Sequence, residues 1–252
     1  MNEYFFIFNP LSFESQKDPN LFEKIKKELE KNEIVADLHR TFQVGDVGNL
    51  IKHAISEDIK YKKIIIIGGD ETISEAVQKF AQMNLNEISL GIIPTGRDNF
   101  LFNSFNSQNS NWKKAIWNLQ NLNSKPISLS ISGNQAFLKR FVAEKNFDAM
   151  LENEKKETKI IFDQKFQLIT PVRKIVVESL ENKFFVQVSS CTLQNFENKD
   201  AKLDLSRFFC KSLSIFAPQS FLKFADSALN NELSKQTEIQ ILKTSISLNF
   251  LR

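Results

Sequence analysis

Cysteine is scarce in this chain. Of 252 residues only Cys191 and Cys210 carry a thiol, and their spacing fits neither a disulfide framework nor a zinc site. A reduced, cytoplasmic protein is expected. Charge of one sign is also lacking. Against 33 basic residues stand 30 acidic ones, spread along the chain for a net +3, so the clustered positive surface of a nucleic-acid binder is absent. No apolar run approaches the roughly 18 residues of a membrane span, and the opening MNEYFFIFNP lacks the basic segment and apolar length of a signal peptide. Any membrane contact would be peripheral. There is no internal repeat and no low-complexity linker; the Asn/Ser-rich stretch 103–112 reads as a surface loop. Tyrosine is rare as well, 2 against 24 Phe, which predicts a core filled by rings that bring no hydroxyl to satisfy.

What is present is ordered. Tyr4–Phe8 reads as a buried strand stopped by Asn9 and Pro10, and Leu21, Ile25 and Leu29 then recur at helical spacing. A second strand over 34–38 leads to Thr41, and Val47, Leu50, Ile51, Ala54 and Ile55 mark a second helix. The unbroken β-branched run Ile64–Ile67 predicts a strand covered on both faces, as in a parallel sheet. Thr72 and Glu75 have the spacing of a reciprocal helix cap, ahead of the stripe Ile73, Ala76, Val77 and Phe80. Ile88–Ile93 forms a fourth strand ended by Pro94. Four strand and helix repeats predict a doubly wound, Rossmann-like α/β domain whose ligands bind outside the carboxyl ends of the strands. We place this domain at 1–122.

From about Asn121 the texture changes to short alternating segments at 127–131, 160–168, 174–178, 184–190, 213–216 and 237–249. Half-exposed antiparallel strands alternate in this way. A mainly antiparallel β-sandwich domain is expected over 123–252, with a helix over 217–234 and a charged loop or solvated helix at 151–159.

The strand ends of the first domain carry the chemistry. Gly68 and Gly69 let a phosphate approach the backbone, and a helix N-terminus behind them offers unpaired N–H groups and a positive dipole end. Asp70 beside such a site could orient a hydroxyl or hold Mg²⁺. Taken alone, the same residues describe a tight strand-to-helix turn. Pro94 to Asn99 adds a second loop with Gly96 and Arg97. His39 and His53 are too isolated in sequence for a dyad or metal site, and Trp112 and Trp117 are expected to pack a helix on the sheet. The Lys/Glu-rich face at 23–31 reads as solvated.

Taken together, FNPLS at 8–12, Thr41 with Gly45 and Asp46 behind it, IIIIGGDET at 64–72 and GIIPTGRDN at 91–99 resemble the diacylglycerol kinase catalytic domain family of lipid kinases. That family carries NP-x-SG, T…GDA, GGDGT and P-x-GT-x-ND in this order. The likeness continues through Phe137-Leu138, Asn146 to Ala149 and Asp200 to Leu205, spanning about residues 4–216. It implies an ATP- and Mg²⁺-dependent transfer of the γ-phosphate to a lipid alcohol such as diacylglycerol. Asn9, Ser12 and Thr41 would then line the nucleotide site, and Gly68, Gly69, Asp70, Glu71 and Thr72 would form the phosphate loop, with Asp70 at the metal. Gly96, Arg97 and Asn99 would complete the cleft, and Asp200 would act as general base. Peripheral membrane contact and a homodimer are compatible with this reading, and nucleic acid is no partner. NAD kinase shares the fold and the GGDGT loop; the NP-x-S start, the F-D-A segment and the K-L-D-L segment fit the lipid branch better.

The departures matter equally. Glu71 stands for the third Gly of GGDGT, Phe13 for the Gly of NP-x-SG, Arg97 for the Thr and Phe100 for the Asp of GT-x-ND. Asn146 and Ala201 replace further glycines. If position 71 has positive φ, a side chain there costs roughly 1–2 kcal/mol. Two unit charges about 4 Å apart repel by about 1 kcal/mol in water and about 4 at a shielded surface site. Glu71 would then weaken ATP binding by roughly one to three decades, at about 1.4 kcal/mol per decade. Arg97 would either pair with Glu71 and close the site, bind phosphate and offset it, or stand in water with no contact to Glu71. The competing class is a binding protein that keeps the fold without phosphoryl transfer and holds a nucleotide, a lipid or a protein.

Overall fold

The structure is a computed structural model. It describes residues 3–56, 61–105, 111–121, 123–132, 135–145, 158–170, 172–190, 204–216, 221–225, 228–230 and 238–251. Contacts divide the chain into two units, residues 1–128 with 246–252, and residues 129–245.

The first unit is a parallel sheet with helices. Strand β1 (Tyr4–Phe8) leads through α1 (Phe13–Lys17) and α2 (Leu21–Lys31) to β2 (Ala36–Arg40), then α3 (Asp46–Ala54), β3 (Lys63–Gly68), α4 (Asp70–Met83), β4 (Ser89–Pro94), α5 (Phe100–Phe105) and α6 (Trp112–Asn118). The order β2-β1-β3-β4 is parallel throughout. Ile64 to Ile67 are all fully buried, which is what unbroken β-branched residues achieve in a sheet covered on both faces. On α2 the stripe Leu21, Ile25 and Leu29 is buried while Glu23, Lys24, Lys26 and Lys27 between them are exposed. Helix α3 packs on α4 and α2 on α6, the two helix layers of a doubly wound sheet. Because the chain runs from β1 outward to β2 and returns to β3 on the other side of β1, the switch point lies between β1 and β3.

The second unit is antiparallel. After β5 (Ser124–Ser132), β6 (Gln135–Phe137) and β7 (Arg140–Lys145) come β8 (Thr158–Phe162), β9 (Phe166–Thr170), β10 (Val172–Ser179), β11 (Phe184–Ser190), β12 (Asp204–Cys210), β13 (Ser212–Phe216), β14 (Phe221–Ala225), β15 (Ala228–Asn230) and β16 (Glu238–Leu251). One sheet runs β12-β11-β10-β7-β14-β15. In the other, β13 lies between β8 and the first residues of β16, and β9 pairs with β8. Phe137, Ile160, Phe162, Leu213 and Ile215 from one sheet share a buried cluster with Phe141, Ile175, Val177, Phe184, Val186 and Val188 from the other. That shared core makes a β-sandwich. The last turn of the chain rejoins the first unit, where Asn249 and Phe250 pair in parallel with Ser89 and Leu90 of β4.

Several sequence expectations are corrected. The segment 160–168 is a hairpin turning at Asp163 and Gln164, both at positive φ. The described parts of 217–234 are the strands β14 and β15, because pairing with β7 overrides a weak helical pattern. Strands β6, β7 and β12 fall outside the segments expected from the sequence. Helix α4 starts at Asp70, so Thr72 lies inside its first turn rather than at a reciprocal cap. On α6, Ala115 and Ile116 are buried whereas Trp117 is 64% exposed, so only part of the expected packing face forms. His39 and His53, far apart in sequence, come together with their ring centroids 6.1 Å apart. No helix among the described residues is long and apolar enough to cross a membrane.

Candidate functional site

The carboxyl ends of β1 to β4 bring four loops together. Thr41 N–H donates to the Phe8 carbonyl and Asn9 N–H to that of Ile67, so the first residues beyond β2 and β1 extend the sheet ladder. Asn9 also bridges the switch point. Its Nδ2 donates to Thr72 Oγ1 on α4 at 2.8 Å, while its Oδ1 accepts from Leu11 N–H at 2.8 Å. Ser12 is buried and bonds Ser15 through the hydroxyls at 2.7 Å.

Gly69 and Gly96 touch backbone to backbone. A Cβ on Gly96 would sit 2.6 Å from Gly69 Cα, and one on Gly69 would sit 3.0 Å from Gly96 Cα; only glycine permits this approach. Neither has positive φ, so closeness rather than backbone conformation selects the residue. Asn99, at φ 49°, clamps the second loop by accepting from Gly96 N–H through Oδ1 at 2.9 Å and donating from Nδ2 to the Gly96 carbonyl at 3.0 Å. Gly69 is the N-cap of α4 in extended conformation, with no side chain bonding the helix start.

Asp70 does something the sequence did not reveal. Its Oδ2 accepts from Phe100 N–H at 2.8 Å and its Oδ1 from Leu101 N–H at 2.9 Å, so it caps α5 from another loop. Burial raises its pKa above the ordinary aspartate value; the two N–H bonds oppose this, and the nearby charges of Asp98 and Glu71 add to the rise. Phe100, standing where the family motif has Asp, contributes through its backbone.

Glu71 lies in the first turn of α4 with φ outside the positive region, which removes the strain considered for this position. The acid instead occupies the positive end of the helix dipole, where a carboxylate is stabilised. It forms no ion pair with Arg97 among the described residues. Both side chains are exposed, and the Arg97 guanidinium stands 5.1 Å from the centroid of the Phe13 ring, with Lys17 Nζ 3.9 Å from the same ring. Phe13 therefore gives Arg97 a cation–π partner in place of Glu71. Thr95 is a residue that sequence reasoning missed: it is fully buried, and its Oγ1 has no hydrogen-bond partner. Its position between Pro94 and Gly96 was the available signal. Asp200 and Asn146 to Ala149 lie outside the described residues.

The uncapped start of α4 beside the Gly69 and Gly96 backbones fits a phosphate approached by N–H groups. Each Asp70 oxygen accepts one N–H bond and keeps a lone pair that could hold a magnesium ion or a water bound to it. No group of three His, Cys, Asp or Glu side chains suited to a metal occurs among the described residues.

A doubly wound α/β unit with a glycine-lined switch point, followed by a β-sandwich, is a recurrent two-domain class. Within it, the diacylglycerol kinase catalytic domain family matches residues 3–130, and the chain belongs to that family. A diacylglycerol kinase structure from Bacillus anthracis str. Sterne superposes with a TM-score of 0.73 at 20% identity, covering 99% of this chain and 96% of that one. Two further structures from the same organism, described as provisional diacylglycerol kinases, give TM-scores of 0.74 and 0.73 at 19% and 17% identity. They cover 99% of this chain and 96% and 97% of their own. Comparison with curated proteins returns no significant sequence match.

Proposed function

We propose that the chain binds the phosphates of ATP at the start of α4 and is a lipid kinase of the diacylglycerol type, transferring the γ-phosphate to a lipid hydroxyl. The observation that carries the reading is the apposition of Gly69 and Gly96 beside an uncapped helix N-terminus at the switch point. Asn9, Thr72 and Asn99 hold that geometry through the bonds described above. Ser12 and Thr41 are buried on the loops beyond β1 and β2, and Arg97 stands exposed. Phosphoryl transfer depends mainly on positioning and charge neutralisation, and in this reading Asp200 accepts the proton of the lipid hydroxyl. Glu71 opposes the phosphate charge.

A second reading is a family member that binds nucleotide, lipid or protein without transfer. One observation favours it: Glu71 places a negative charge at the phosphate end of α4.

Incubation with Mg-ATP and short-chain diacylglycerols, with melting followed in parallel, separates the two readings. Phosphorylated lipid establishes the kinase. A thermal shift by Mg-ATP without product supports the binding protein. Neither turnover nor shift rejects the nucleotide site. Glu71→Gln is expected to tighten Mg-ATP binding by about tenfold or more, since one unit charge near the phosphates is removed.

A further inference from the structure

Away from the strand-end loops, a cavity of about 600 Å³ opens between α2 and the edge strand β2. Phe22, Leu29, Ile34, Val35, Ala36 and Leu38 form its apolar wall, and Val35 is 68% exposed. The backbone of β2 faces the same opening. Thr41 N–H donates to the Phe8 carbonyl, and along a paired strand successive residues turn their N–H and C=O groups to opposite sides. Asp37 and His39 therefore bond toward β1, while the backbone groups of Ala36, Leu38 and Arg40 point to the open edge. Among the described residues β2 has β1 as its one partner strand. The residues that offer free ladder groups at the cavity, Ala36 and Leu38, also line it with their side chains.

The charges around the cavity narrow the partner. Lys26, Glu30 and Glu33 complete the lining, all exposed, and none of them enters an ion pair among the described residues. Arg40 is engaged: it stands 3.6 Å from the centroid of the Phe22 ring and 3.7 Å from Glu23. Lys27 is exposed on the same helix but does not line the cavity, and on the other face of β2 Asp37 accepts from the Tyr61 hydroxyl. The uncommitted lining charge is thus one cation against two carboxylates. A second copy of the chain suits the cavity poorly. Its β2 would turn only Ala36, Leu38 and Arg40 to this face, too little to fill the space.

We propose that this edge binds an extended peptide segment of a partner protein as an added strand beside β2. Alternate apolar side chains of the peptide enter the cavity, and a lysine or arginine meets Glu30 and Glu33. Main-chain bonds to the open edge supply affinity in this mode, and the side-chain cavity supplies specificity. The site is independent of the nucleotide reading, and its test uses no nucleotide.

Short random peptides displayed on phage are selected on the full chain, and the enriched peptide is titrated by fluorescence anisotropy. Enriched sequences are expected to alternate apolar residues and to carry Lys or Arg. Ala36→Pro deletes one outward N–H and leaves the β1 ladder intact, a change that edge strands tolerate; it should weaken binding about fivefold. Glu30→Lys with Glu33→Lys should weaken it at least about tenfold at low salt. Melting temperatures confirm that both variants are folded. In the wild type, which needs no variant to fold, hydrogen exchange followed by NMR should slow at the amides of Ala36, Leu38 and Arg40 when the peptide binds. Failure to enrich any peptide overturns the proposal, as does binding that either folded variant leaves unchanged or exchange that the peptide does not slow. A wild-type dimer in sedimentation velocity that Ala36→Pro dissolves also overturns it, by assigning the edge to a second copy of the chain.

Discussion

Strands β3 and β11 bury their side chains by different rules. In β3 five consecutive residues from Ile64 to Gly68 are buried, whereas in β11 Phe184, Val186 and Val188 are buried and Phe185, Gln187 and Ser189 are only half-buried. A strand covered on both faces has no tolerant position, while a sandwich strand tolerates change at every second residue. The first unit therefore delivers the loops after β1, β3 and β4 from strands enclosed on both faces, whereas its edge strand β2 is only half-buried.

The sharpest way to break this contrast is Ile66→Ala, which empties a fully buried site in the middle of β3 and should cost about 3–4 kcal/mol in chemical denaturation. A cost under about 1 kcal/mol would show that β3 is not enclosed as described. Next is Gly96→Ala. Its Cβ would meet Gly69 Cα at 2.6 Å and Asn99 Oδ1 at 2.9 Å, so the strand ends must part, at about 1–3 kcal/mol together with weaker nucleotide binding.

Asp70→Ala should cost about 1–2 kcal/mol by uncapping α5. Hydrogen exchange should quicken at Phe100 and Leu101 before it does elsewhere. If those amides are unaffected, the carboxylate does not cap α5. On the edge strand β2 the effect is smaller and depends on pH. His39 stacks on Phe5 with centroids 4.4 Å apart. Burial depresses its pKa below the ordinary 6.5, His53 lowers it further and Asp37 opposes. With the folded value below the unfolded one, the unfolded chain binds the proton more readily. Stability should fall as pH drops from 6.5 toward the folded value. His39→Phe should flatten the melting temperature across that window, and an unchanged slope would remove His39 as its source. Last, Gln187→Ala on the half-buried face of β11 should stay within about 0.5 kcal/mol of the wild type.

Much of the fold was legible because its signals are local. The buried stripe of α2, the isoleucine run of β3 and the glycine loops at 68–69 and 96 each declare themselves within a few residues. Their order along the chain identified the family. The strands β12, β14 and β15 were not legible, since such segments gain their conformation from distant partners. Glu71 falls inside α4 rather than before it, because the helix cap lies at Gly69, three residues before the expected Thr72.

By itself the sequence determined the strand and helix rhythm, the change from unbroken to alternating strands, and the ordered loops of a diacylglycerol kinase domain, all products of short-range periodicity and side-chain type. Only the tertiary structure decided that Asp70 caps α5, that Arg97 rests on Phe13 instead of pairing with Glu71, that Gly69 meets Gly96, and that His39 lies beside His53. Those contacts join residues far apart in the chain. Their geometry follows from the order and register of the strands, which no local pattern encodes.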